Sequence, residues 1–308
     1  MIGMNKLQAN LCLLCVTLCW STEVIIFACI PDSVSPYATN CITFAIGATL
    51  IFVSFWKRIC KSLREHGASI IKVCIGLGIL CMAYNTMYIY GLNDFDVSTG
   101  SFTLSMTVVV LPVILLTMRE KTELNTWLGA ALVLTGIFFS CIESVRMSQI
   151  TGFLLIFGGC VIRAVYIIKV NKYTKQFDPI VISALVCAVG AVISFSLWFA
   201  SDKRTFASIE WTKQMIASMF IYSYFIVAFA QTLNFFAQRR TTPASATIIY
   251  SIEIIFSTIW GILLPSSLVT PIKLSPYILI GVFFVVAGNL VNLIDFKAIG
   301  KKEADEHE

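Results

Sequence analysis

Charge is what this chain has least of. Asp, Glu, Lys and Arg make up 13% of its 308 residues, where a soluble domain carries about 25%. Too little polar surface remains to cover a water-soluble globule. Histidine is almost missing as well: His66 and His307 are the whole supply, and neither has a catalytic neighbour in sequence. With few acids in the loops, that scarcity speaks against a nucleophile–base cluster of the kind an enzyme needs. There is no phosphate-cradling glycine loop and no soluble domain, which speaks against direct ATP drive, and no cofactor is expected. No basic groove with stacking aromatics is present either. The net charge of +5 therefore points to anionic lipid heads near short loops, and not to nucleic acid.

Hydrocarbon fills the chain instead. Hydrophobic residues reach 58% and mean hydropathy is +0.86. Ten apolar stretches, each long enough to cross a bilayer, fall at 9–30, 36–56, 69–91, 97–118, 125–142, 151–170, 178–199, 213–236, 243–264 and 275–294. Spans of about 20 residues fit helices through a core of about 30 Å, whereas strands would need about 10 alternating residues. The pattern predicts an all-α integral membrane protein with ten transmembrane helices. Arg119 to Glu123 separates spans four and five as a charged turn, and Pro31-Asp32 and Pro265-Ser266-Ser267 mark other loops. The first stretch exceeds a signal-peptide core and lacks a small-residue cleavage pattern, so it is expected to remain as a span.

Basic residues give the orientation. Ten spans put both termini on one side, and 15 Lys and Arg fall there, Lys57, Arg58, Lys61, Arg119, Lys172 and Arg239 among them. Five, Arg146, Lys203, Arg204, Lys213 and Lys273, fall opposite. Short loops with that bias predict cytoplasmic termini in a multi-pass protein of the cytoplasmic (inner) membrane. Residues 295–308 read as a short charged cytoplasmic tail. The 11 cysteines sit in or beside apolar spans, except Cys60, and read as small packing groups. Cys12 and Cys15 have no second pair or nearby histidine, so no metal is expected.

Residues 9–142 and 151–294 hold five spans each. Five is odd, so a second copy enters the membrane from the opposite side. The expected architecture is two inverted-topology five-helix repeats, as alternating-access transporters use around a midplane site. Gly129 and Gly136 in span five have a counterpart in Gly281 and Gly288 of span ten.

Several motifs in this order carry a family resemblance: Trp20-Ser21, Tyr88-Ile89-Tyr90-Gly91-Leu92, Pro112, the Arg119-Glu120 turn before Gly129 and Gly136, Ala164-Val165-Tyr166, and Thr242 to Phe256 around Glu253. From Leu11 to Asn292 the chain resembles the EamA branch of the drug/metabolite transporter superfamily. The resemblance implies secondary transport of small organic metabolites: amino acids, amines or drug-like compounds. The chain departs from that family's pattern at Ile254, where a proline usually follows the glutamate, and at Leu264-Pro265, where a Gly-Glu turn is usual. The first departure predicts a straighter ninth helix.

Three charges fall well inside spans: Glu23, Arg163 and Glu253. Each costs roughly 2.5–3.5 kcal/mol at the centre of an isolated helix, so each must face a bundle interior, a wet cavity or another charge. Either Arg163 neutralises one carboxylate structurally, or the set binds substrate and coupling ion. Two carboxylates and one guanidinium leave an acid for a proton or a transported cation. Tyr84, Asn85 and Tyr88 in span three offer two rings and an amide as a pocket wall, or belong to core and interfacial belt. Trp20 lies three residues before Glu23. Gln231 and Asn234 in span eight and Tyr250 in span nine extend a polar stripe, or hold helices together. Arg163 stands where the family often has an aromatic. Pro112 is expected to kink span four, and Gly158-Gly159 reads as a hinge or as close packing.

The expected function is alternating-access transport of a small organic metabolite, with a proton as candidate coupling ion, in a monomer or weak homodimer among membrane lipids. The rivals are an uncoupled facilitator or channel, and a membrane-embedded enzyme acting on lipid.

Overall fold

A computed structural model describes residues 5–27, 29–31, 34–91, 105–120, 122–141, 150–201, 209–265 and 275–293. The tail, the start of span four, and Arg146, Lys203, Arg204 and Lys273 of the orientation count lie outside the described residues. The protein is an all-α multi-pass membrane protein, and among the described residues six helices are long and apolar enough to cross a membrane. The helices are α1 (Lys6–Ser21), α2 (Glu23–Phe27), α3 (Pro36–Gly91), α4 (Thr107–Thr117), α5 (Leu124–Cys141), α6 (Ile150–Thr174) and α7 (Pro179–Ser201). They continue with α8 (Lys213–Tyr222), a π-helical stretch (Ser223–Ala230), α9 (Gln231–Gln238), α10 (Pro243–Tyr250), α11 (Glu253–Leu263) and α12 (Pro276–Leu293).

The surface is apolar and the interior partly polar, as a lipid solvent requires. Val53, Leu263 and Phe283 are about 70% exposed, while Asn10, Thr17, Asn171, Asn234 and Gln238 are buried. Lipid tails give apolar side chains no reason to hide, so packing and internal hydrogen bonds hold the bundle together. Spans two and three form the single helical run α3. Its regular backbone is interrupted at Phe55 and at Gly67, where φ is +50°. That φ favours glycine because a Cβ would be strained there.

Close approach is built from small residues. α5 and α12 cross through Gly129 against Gly288 and Gly136 against Gly281. A Cβ on Gly129 would lie 2.8 Å from the Gly288 carbonyl oxygen, and one on Gly288 would lie 2.6 Å from that of Gly129. Val133 fills the space beside Gly288, and Val285 the space beside Gly136. On the other side of the bundle α3 packs along α7 and α6, and a Cβ on Gly78 would strike Val189 at 2.4 Å. α1 lies between these groups, against α9, α10 and α11.

Candidate functional site

Two spans break next to their carboxylates. α1 ends at Ser21, and Thr22 has ψ near −6°, with its N–H bonding back three residues to Cys19. Glu23 then opens α2. In span nine, Ser251 and Ile252 keep helical φ but have ψ of −17° and −19°. Their N–H groups bond to Ile248 and Ile249, three residues back. That is a turn of 3₁₀ geometry in an α-helical path, and such mid-helix stretches often mark hinges. Glu253 opens α11 directly after it, where a carboxylate is favoured by the helix dipole. The straighter ninth helix expected from Ile254 is not what forms. Four backbone bonds in the i−3 register between Ser251 and Ile255 tighten the turn without any proline.

Arg163 of α6 and Glu253 line one cavity with Ser105, Thr107, Val108, Ile167, Thr247, Tyr250 and Ser251. α4, α6, α10 and α11 thus contribute to one space, together with Ser105 just ahead of α4. Among the described residues Arg163 comes within 4 Å of neither Glu23 nor Glu253 as an ion pair. Arg163 and Glu253 thus share one cavity without a closed contact pair, and Glu23 stands outside its lining. The cavity measures ≈ 20 Å³, room for about one water.

The other predicted site residues divide around this centre. Trp20 packs on Tyr250 with ring centroids 5.2 Å apart, which ties span one to the cavity wall. Tyr250 donates to the Asn234 amide oxygen and accepts from Gln238 at 2.9 Å. Asn234 also accepts from Gln238 at 3.1 Å. Asn171 of α6 donates to the Thr241 carbonyl at 2.8 Å, which fastens the turn between spans eight and nine. Asn234 thus belongs to a buried network beneath the cavity, and Tyr250 joins that network to the cavity.

Gln231 donates to the Tyr166 hydroxyl at 3.0 Å, and Tyr166 and Tyr84 have ring centroids 5.7 Å apart. This second polar cluster, between α3, α6 and α9, does not line the cavity. Asn85 turns back on its own helix, donating to the Cys81 carbonyl at 2.9 Å. Tyr88 is half-buried along the α3–α6 contact and does not line the cavity. Glu23 accepts a hydrogen bond from Tyr222 at 2.9 Å, at the entry to the π-helical stretch.

Sequence reasoning passed over Tyr222 and the hydroxyls of Ser105, Thr107, Thr247 and Ser251. Thr247 and Ser251 sit four apart and Tyr250 three after Thr247, a helical spacing that continues the face of Glu253. Nothing in the sequence marks Tyr222, because its role depends on span eight meeting span one. Gly158 and Gly159 lie inside an unbroken α6, where a Cβ on Gly158 would strike Met87 at 2.6 Å. Their place is one of close packing.

The family model for EamA-like transporters matches residues 7–142 and 150–294. An uncharacterized transporter of Archaeoglobus fulgidus is 24% identical over 272 residues, covering 88% of this chain and 82% of that protein. A protein crystal structure superposes with a TM-score of 0.75 over 92% of this chain and 96% of that chain. Its 17% identity makes this a likeness of fold alone.

Proposed function

The chain belongs to the EamA-like transporter family, within the drug/metabolite transporter superfamily, and from that membership we propose a secondary transporter that moves small organic metabolites by alternating access. Family membership makes it a membrane transporter of small solutes and not an enzyme. The finer reading is ten crossings in two inverted halves, 9–142 and 151–294, with both termini in the cytoplasm and the protein in the cytoplasmic membrane. The reciprocal glycine contacts of α5 and α12 support it, since equivalent segments of inverted halves meet about a local two-fold axis.

One observation carries the proposal: Arg163 and Glu253 face the same cavity inside the membrane without pairing with each other. A structural ion pair would close that gap, because an unpaired charge in a low-dielectric bundle is costly. Left apart, a guanidinium and a carboxylate can take the two ends of a zwitterion, or one can bind cargo while the other takes a proton. Amino acids and related amines are the cargo class that fits. The cavity of ≈ 20 Å³ is far below the roughly 300–1,000 Å³ of ligand sites. Cargo therefore enters only when the helices part, and the joints at Thr22 and Ser251–Ile252 are where spans one and nine can bend. Tyr222 holds the Glu23 carboxylate ready to exchange its proton or its partner as span one moves.

Vesicles containing the purified protein, loaded with amino acids and amines and given a pH gradient, test the coupling. Flux that follows the gradient supports proton coupling. Flux indifferent to the gradient in both directions leaves an uncoupled facilitator in its place.

A further inference from the structure

An opening of ≈ 680 Å³ lies on the outside of the bundle and shares no lining residue with the charged cavity. Ala45, Ala48, Thr49, Phe52, Val53 and Trp56 of α3 form one side, and Ala188 and Ala191 of α7 the other. From Ala45 to Val53 the α3 residues recur at three- and four-residue spacing, so they share one helical face, and Trp56 joins them just past the interruption at Phe55. From Ala45 to Ser54, ahead of that interruption, the helix rises about 14 Å at 1.5 Å per residue, close to the depth of one leaflet of a core about 30 Å thick. Four alanines make the floor. The one hydroxyl, on Thr49, is spent on the Ala45 carbonyl at 2.8 Å, so the groove asks nothing polar of its occupant.

Its end is different. Trp56 is 61% exposed, as an indole at the membrane–water boundary is expected to be. Lys57, Arg58 and Lys61 follow within five residues, all exposed. Arg58 is held by Asp178. Lys61 reaches Glu65 at 3.8 Å with both side chains more than half exposed, a contact that contributes little in water. Lys57 makes no ion pair among the described residues. An apolar trough one leaflet deep thus ends in an indole and two ammonium groups available to an anion.

We infer that this groove is a binding site for an anionic phospholipid, with one acyl chain along the α3–α7 trough and the headgroup phosphate against Lys57 and Lys61. In the orientation proposed above the groove opens to the cytoplasmic leaflet, where anionic lipids create the negative surface potential. The assignment depends on the groove and its basic end, not on the transport reading.

Purified protein in a non-ionic detergent is titrated with phosphatidylglycerol or with phosphatidylcholine of the same chains, and its Tm is followed. A lipid that binds only the folded protein raises Tm in proportion to the logarithm of its concentration above Kd. The expected result is a larger rise with phosphatidylglycerol. Lys57→Gln/Lys61→Gln loses the excess of one lipid over the other. Ala45→Phe, at an exposed position that loads no core, loses the response to both. Equal shifts from the two lipids in the wild type, no shift from either, or a full phosphatidylglycerol shift in Ala45→Phe overturns the site. So does light scattering that finds a wild-type dimer turned to monomer by Ala45→Phe, which gives the groove to a second copy of the chain.

Discussion

The α5–α12 crossing and the Arg163 cavity are built on opposite plans. At the crossing, Gly129, Val133 and Gly136 meet Gly281, Val285 and Gly288, the same three residues at the same spacing. Gly129, Gly136 and Gly288 each admit the other helix's backbone, the valines fill the space beside Gly136 and Gly288, and both helices run unbroken. At the cavity, α6 supplies an arginine, and span nine a glutamate and a 3₁₀ turn; the second glutamate, Glu23, follows the break in span one and is held by Tyr222 outside the cavity lining. Here contacts are loose, charges stay apart and a void remains. The crossing is suited to hold a fixed geometry, and the cavity to change one. A transporter needs both, because rigid parts can rock about a site only if the site itself is not locked.

Substitutions at the two places should therefore fail in different ways. Arg163→Ala should reduce flux in vesicles to background while the protein remains inserted and folded, as judged by its amount in membranes and its elution in detergent. Normal flux in that variant removes Arg163 from the site. Glu253→Gln and Glu23→Gln should each lower flux several-fold but differ in pH dependence, because Glu253 lines the cavity and Glu23 is held by Tyr222. pH profiles identical to wild type in both variants would exclude either carboxylate as the coupling site.

At the crossing the loss should be one of stability. Gly288→Ala puts a Cβ 2.6 Å from a backbone oxygen and should cost about 1–3 kcal/mol, as overpacking does. A lowered Tm with flux per folded molecule retained is the expected pattern. Trp260→Phe removes the 2.9 Å hydrogen bond to Ser21 that joins span nine to span one beside the break at Thr22. It should cost about 0.5–1.5 kcal/mol, and a denaturation series measures it. Gly76→Ala, with nothing within 4 Å of the new Cβ, should change stability by less than about 0.5 kcal/mol. An equal loss at Gly76 and Gly288 would mean that glycine sensitivity reports the helix and not the crossing.

Much of this plan is legible in the amino-acid sequence, because a bilayer penalises charge so heavily. The apolar stretches, the three membrane charges and the paired glycines of spans five and ten all stand out for that reason. The breaks do not. Thr22, Ser251 and Ile252 are ordinary residues in apolar runs, and neither glycine nor proline stands at either turn. The glycines and proline end no helix: α4 continues through Pro112, and α6 through Gly158-Gly159. Span eight winds into a π-helix at Ser223–Ala230 with neither glycine nor proline in it. Its tight neighbour is Gly47 of α3, where a Cβ would strike Val227 at 2.5 Å. Partnership between spans was equally hidden. Single-chain spacing groups Tyr84, Asn85 and Tyr88, but Tyr84 turns to Tyr166, Asn85 to its own helix, and the cavity takes hydroxyls from spans four and nine instead.

The most direct test is ligand-dependent thermal stabilisation of the wild type and Arg163→Ala, against a panel of amino acids, amines and related metabolites at two pH values. A ligand that binds the folded protein raises its Tm by an amount set by concentration and affinity. The predicted result is a set of related ligands that stabilise the wild type and leave Arg163→Ala, itself folded, unmoved. The same ligands stabilising Arg163→Ala to the same extent would contradict a cargo site at the Arg163–Glu253 cavity.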